Sequence, residues 1–112
     1  MKDYGLVSII TPAYNAASYI GETIESVLKQ TYPHWELLIV DDCSTDESSA
    51  IIADYAAQDS RIRYFKTASP SGSPCLPRNM GIKFAQGRFI AFLDSDDCWL
   101  PHKLEEQLPL FE

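Results

Sequence analysis

The sequence predicts an α/β fold, a mostly parallel sheet with helices on both of its faces. Two observations carry that reading. Four short apolar runs rich in β-branched and aromatic residues recur along the chain, at Leu6 to Thr11, Trp35 to Val40, Arg61 to Lys66 and Phe89 to Leu93. Between them lie segments whose apolar residues repeat at helical spacing. Parallel strands need such crossovers, so this alternation points to βαβ units whose strands are buried on both faces.

Each element has its own warrant. The first run ends at Pro12, and Ser18 is placed to cap a helix in which Ile20, Ile24, Val27 and Leu28 share one face. That helix should stop before Tyr32-Pro33, because the residue preceding a proline avoids helical geometry. The second run opens directly onto Asp41-Asp42. Ser44 and Glu47 then have the spacing of a capping box, with Asp46 in the first turn and Ile51, Ile52, Tyr55 and Ala56 as the buried stripe. Residues 67–77, dense in Ser, Pro and Gly, read as a mobile loop. Pro77 suits the first turn of a third helix, with Met80 and Phe84 four apart on one face, Phe84 core or half-buried, and Gly87 as its C-cap. The fourth run opens onto Asp94-Ser95-Asp96-Asp97, and a last short helix should break at Pro109.

The whole-chain quantities narrow the chemistry. A length of 112 residues with 46% hydrophobic content fits one domain with its own core. The formal charge of -7 argues against nucleic acid or an anionic membrane as partner, since either needs basic residues to offset phosphates. No apolar run reaches the ~18 residues of a membrane span, and no signal peptide follows Met1. Cys43, Cys75 and Cys98 form no CxxC and leave one thiol over in any pairing, which fits a reducing compartment. The expected location is the cytoplasm, with the inner face of a membrane as a variant. Cys43, Cys98 and His102 match no structural zinc spacing.

In open parallel sheets ligands bind beyond the carboxyl ends of the strands. The loops there carry Pro12-Ala13-Tyr14-Asn15, Asp41-Asp42 and Asp94-Ser95-Asp96-Asp97. Five carboxylates on one rim would repel one another, and their pKa values would rise unless a cation or hydrogen-bond donors compensated. Asp94 and Asp96 are hard oxygen ligands two residues apart, which favours Mg2+ or Mn2+ over zinc as cofactor, although loop aspartates taken alone serve as readily as turn-formers or helix caps. Magnesium held by one or two carboxylates completes its shell with water and substrate phosphates, which predicts a phosphorylated substrate. Asp41-Asp42 is placed to accept hydrogen bonds from a ribose hydroxyl or a base N–H.

Taken together, T-P-A-Y-N after the first strand, V-D-D-C-S-T-D after the second, R-N-M-G in the third helix and A-F-L-D-S-D-D after the fourth resemble the family 2 glycosyltransferases. The resemblance runs from Val7 to Leu104. It implies the Rossmann-like nucleotide-binding half of the GT-A fold, with residues 1–112 as a single nucleotide-sugar-binding domain that stops before an acceptor-binding half. It also implies a base pocket at Pro12, Ala13 and Tyr14, a base contact at Asp42 and support from Asp41. Asp94-Ser95-Asp96 becomes the D-x-D that meets the ribose and the metal on the diphosphate, with Asp96 the direct ligand and Arg78 a nearby cation. The implied donor is a nucleotide sugar, with UDP favoured. The implied acceptor is a glycan or lipid-linked sugar, transfer inverts the anomeric centre, and the general base lies outside the matched segment. A homo-oligomer formed through uncovered apolar surface is a further expectation. Cys43 occupies a position where many relatives carry glycine, so if that turn needs a positive φ the loop must be strained or differently shaped.

Other enzymes fit worse. Gly5, Gly21, Gly72, Gly81 and Gly87 never approach the G-x-G-x-x-G of a dinucleotide oxidoreductase. A receiver domain would need paired acids after the first strand, and a nucleotidyltransferase a Gly- and Arg-rich loop there. The alternative that survives is a non-catalytic nucleotide-binding module of the same fold.

Overall fold

All four apolar runs form strands in the computed structural model, which describes residues 2–111. The strands are β1 (Val7–Ala13), β2 (Trp35–Asp41), β3 (Ile62–Lys66) and β4 (Phe89–Phe92). The helices between and after them are α1 (Ile20–Leu28), α2 (Ser48–Gln58), α3 (Cys75–Phe84) and α4 (Lys103–Gln107), with a 3-10 turn over Leu108–Phe111. The sheet is parallel throughout and ordered β3-β2-β1-β4. Every residue of β1 and β2 is buried, as central strands covered on both sides must be.

The period-two alternation of the strands divides the core. Val7, Ile9, Leu37 and Ile39 pack with Ile20, Ile24 and Val27 of α1, Ile52 of α2 and Leu104 of α4. Ile10 points to the opposite face, under α3, where the Cα of Gly81 approaches so closely that a Cβ would lie 2.5 Å from Ile10 Cγ2. A polar clamp secures the far end of this face. Glu36 accepts hydrogen bonds from Ser8 Oγ (2.6 Å), Gln86 N (2.7 Å) and Arg63 Nη1 (3.0 Å). Burial alone would raise its pKa, but these three donors outweigh it and hold the carboxyl below its usual value.

Several local expectations are corrected. β1 continues through Pro12 to Ala13, because its pairing with β4 ends at Ile10–Phe92 while pairing with β2 runs to Ala13–Asp41. Pro12 thus sits where β1 has a neighbour on one side only, and a missing N–H is tolerated. Ser18 does not cap α1; no side chain does, and the N–H groups of Tyr19 and Ile20 are met by Ala16 O. The Ser44–Glu47 capping box does not form either, and Asp46 Oδ1 accepts the Ser48 N–H instead. α3 starts two residues before Pro77 and buries Pro77 and Gly81; Phe84 remains 38% exposed and stacks on Phe65 at 4.9 Å. Gly87 is no helix cap: α3 ends at Phe84 with Ala85 as its C-cap, and Gly87 is needed because a Cβ there would meet Ser8 N at 2.7 Å.

Candidate functional site

The strand order places β1 between β2 and β4, so the carboxyl ends of these three strands share one rim. The chain leaves β1 through α1 on one face and enters β4 from α3 on the other, which makes the β1–β4 boundary the point where the connections diverge. A cleft of about 380 Å³ opens there. One wall is Pro12, Ala13, Tyr14, Asp42 and Ser95; the other comes from residues 70–77, including Pro70, Gly72 and Pro77. Tyr14 is 56% exposed, which leaves its ring free for stacking.

Two loops are sewn together to form the first wall. Asn15, at φ 47, is one of two non-glycine residues with positive φ among those described. Its side-chain oxygen accepts from Thr45 N at 2.7 Å and Asp46 N at 3.3 Å, while its own N–H donates to Ser44 Oγ at 2.9 Å. The other is Cys43, at φ 58, so the turn does take the positive φ that glycine would adopt freely; its thiol lies 3.2 Å from Thr67 O. Asp41 is fully buried and accepts from Ser44 N, Ser44 Oγ and Tyr64 OH. Asp41 therefore braces the end of β2 from within, and it is Asp42 that reaches the cleft.

Asp42 is buried, and the opposite wall folds onto it. Thr67 Oγ1 donates to Oδ1 at 2.9 Å, Ser71 Oγ to Oδ2 at 2.8 Å, and Ser71 N and Gly72 N approach at 3.0 and 3.2 Å. Burial alone would raise the Asp42 pKa, but the bonds from Ser71, Thr67 and Gly72 outweigh it and depress it. The compensation expected for crowded carboxylates comes, at this residue, from the protein's own donors.

Asp41, Arg78, Asp94 and Asp96 do not line the cleft directly. Arg78, in the first turns of α3, donates from Nη2 to Asp94 Oδ1 at 3.1 Å, and its Nε is buried without a partner among the described residues. That is a cation at a helix N-terminus paired with an anion, with one donor still unmet. Asp96 is exposed and has no side-chain partner among the described residues. No group of three or more acidic, His or Cys side chains among the described residues is placed to hold an ion. Asp94 and Asp96 thus offer at most two carboxylates, a set suited to a hard cation that completes its shell from phosphate and water.

Sequence reasoning missed a second layer. Thr23, Ser26 and Gln30 of α1 and the turn after it are buried polar residues at spacings of three and four. All three bond to main chain in the irregular segment after β4. Thr23 Oγ1 lies 2.9 Å from Ser95 O and 2.7 Å from Asp97 O; Trp99 N donates to Ser26 Oγ at 3.2 Å; Gln30 Nε2 donates to Leu100 O at 2.7 Å. The stripe was visible at helical spacing beside the apolar one, but nothing in the sequence says what it meets.

Residues 8–112 match Glycosyl transferase family 2. The chain belongs to this family. It is 52% identical over 103 residues to TuaG of Bacillus subtilis (strain 168), a glycosyltransferase named for teichuronic acid biosynthesis, covering 92% of this chain and 40% of TuaG. It is 49% identical over 110 residues to WfgD of Escherichia coli, a UDP-Glc:alpha-D-GlcNAc-diphosphoundecaprenol beta-1,3-glucosyltransferase, covering 98% of this chain and 42% of WfgD. Among solved structures, S. aureus TarS 1-349 in complex with UDP-GlcNAc superposes with a TM-score of 0.88 at 36% identity, covering 94% of this chain and 30% of that one. The mannosyltransferase PcManGT from Pyrobaculum calidifontis, in complex with GDP-Man and Mn2+, gives 0.76 at 26%, covering 83% and 28%. The four-stranded parallel sheet is therefore the Rossmann-like part of the GT-A fold. The chain spans about two-fifths of the length of these two family relatives. No helix among the described residues is long and apolar enough to cross a membrane.

Proposed function

We propose that this chain is the donor-binding part of a metal-dependent, inverting glycosyltransferase that uses a UDP-sugar in making a cell-surface polysaccharide or glycan. The carrying observation is the cleft at the β1–β4 boundary, where Pro12, Ala13, Tyr14, Asp42 and Ser95 face one space with the Arg78–Asp94 pair beside it. In this reading Tyr14 stacks on the base, and Asp42 accepts a base N–H after a Ser71 donor yields. Asp94-Ser95-Asp96 meets the ribose and holds Mn2+ or Mg2+, with Asp96 as the direct ligand, and the unmet Arg78 Nε answers an anionic phosphate. TarS with UDP-GlcNAc and PcManGT with Mn2+ support the donor and metal classes. A bound divalent ion would neutralise charge growing on the leaving diphosphate. The protein's own part is to fix the diphosphate so that an acceptor hydroxyl, on a glycan or lipid-linked sugar, displaces it from the anomeric carbon.

No residue described here is assigned as the base that takes the acceptor's proton, and Asp97 is read as supporting the loop. Loss of a general base costs ~10²- to 10⁴-fold in rate. Residues 1–112 alone are accordingly expected to bind UDP and transfer no sugar. Calorimetry with UDP, with and without Mn2+, tests the binding half; a radiolabelled-sugar assay tests the other. Asp96→Ala should abolish the Mn2+-dependent gain in UDP affinity and leave thermal stability nearly unchanged, since the side chain is exposed. Unaltered affinity of Asp96→Ala in Mn2+ would remove Asp96 as ligand.

A further inference from the structure

We propose that Thr23 is a positioning residue for Asp96, so that a hydroxyl on α1 fixes the metal-facing loop from behind. The inference rests on the donor-binding reading above. The loop after β4 has no ladder to satisfy its main chain, because the sheet pairing of β4 stops at Phe92. The carbonyls of Ser95 and Asp97, the residues on either side of Asp96, both turn to the Thr23 hydroxyl, at 2.9 and 2.7 Å. Thr23 is 1% exposed, whereas Asp96 between them is exposed. The backbone is thus wrapped about one buried side chain, with the carboxylate on the outside of the bend. Tyr19 O, one helical turn back, is a more distant alternative acceptor at 3.3 Å. A hydroxyl has a single proton, so it serves the two loop carbonyls in turn and cannot be replaced by an apolar isostere without freeing both. Asp97 N donates to Asp94 O at 3.0 Å, which closes the turn on its other side. Ser26 and Gln30 then secure Trp99, Leu100 and Leu104, so slack released at Thr23 is confined to residues 95–97.

Groups that orient a metal ligand from behind contribute ~10- to 100-fold to metal affinity. The test is UDP titration of Thr23→Val and Thr23→Ser, each in Mn2+ and in EDTA, with amide hydrogen exchange of the ligand-free proteins. Thr23→Val should weaken UDP binding in Mn2+ by about tenfold or more and leave it unchanged in EDTA. Exchange should quicken at the Asp97 amide, which is bonded to Asp94 O, while β1 and β2 stay protected. Thr23→Ser, which keeps the hydroxyl, should restore both. Equal losses in Mn2+ and EDTA, or no rescue by serine, would make Thr23 a packing residue and overturn the inference. Wild-type protein that gains nothing from Mn2+ would instead overturn the metal reading and this inference together. If Thr23→Val does not fold, rescue by serine with normal Mn2+ dependence still supports the role, and serine with wild-type stability but lost Mn2+ dependence refutes it.

Discussion

At the scale of single residues, Asp42 joins the two walls of the cleft through one carboxylate. Its pKa is lower folded than unfolded, so the folded chain binds fewer protons between the two values. The associated stability is fully present above the unfolded value near ~3.9 and is lost as pH falls through the depressed one. Glu36, Asp46 and Asp59 are depressed too, so an acid-sensitive melting temperature by itself says nothing about Asp42. The difference between wild type and Asp42→Asn does. Asn cannot ionise, and its melting temperature, followed by circular dichroism, should fall less steeply below about pH 4; parallel acid limbs would show that Ser71 and Gly72 do not hold this carboxylate. Asp42 was legible in the sequence as a charge at a strand end. Its donors were not, because Ser71 and Gly72 lie 29 and 30 residues on, in a segment with no periodicity to place it.

Among the elements, the strands could be read and the helix caps could not, for one physical reason. Strand burial is a property of a run of residues, and β1 and β2 are mostly apolar and buried over their whole lengths. A cap depends on one side chain, and at this rim the capping side chains are diverted to bind the loops. Ser44 goes to Asp41 and Asn15, and Ser48 Oγ accepts the Ala16 N–H at 2.8 Å. The R-N-M-G motif shows the same limit. Its arginine was recognised by chemistry, but the glycine's task appears only where α3 presses on Ile10. Gly81→Ala would place a methyl 2.5 Å from Ile10 Cγ2, on a β-branched side chain with little rotational freedom. Despite the higher helix propensity of alanine, this overpacking should cost about 1–3 kcal/mol in urea unfolding. A neutral or stabilising result would mean that α3 rides further from the sheet. Glu36→Ala should cost a similar amount, about 1–3 kcal/mol, by leaving the buried Ser8 hydroxyl, and with it the Gln86 N–H, without their acceptor.

Across the whole molecule, β4 forms one edge of the sheet, and its outward residues Ile90 and Phe92 are 45% and 50% exposed. An apolar edge strand with unpaired main-chain groups is prone to pair with another chain. Residues 1–112 are expected to self-associate in sedimentation velocity at micromolar concentration, and Phe92→Lys should shift them toward monomer. A wild-type monomer at high concentration would end that expectation. The unequal pairing of β1 also has a consequence for size. Its ladder to β2 extends three residues beyond its ladder to β4, and at a rise near 3.3 Å per residue this is a terrace ~10 Å deep. The terrace is cut by backbone register. A loop can be exchanged or displaced without altering its depth, whereas a single inserted residue near Thr11 would change it by about one rise and turn every later side chain of β1 to the other face. If the donor-binding proposal holds, the ruler for the nucleotide is the hydrogen-bond register of the two central strands rather than the conformation of any loop.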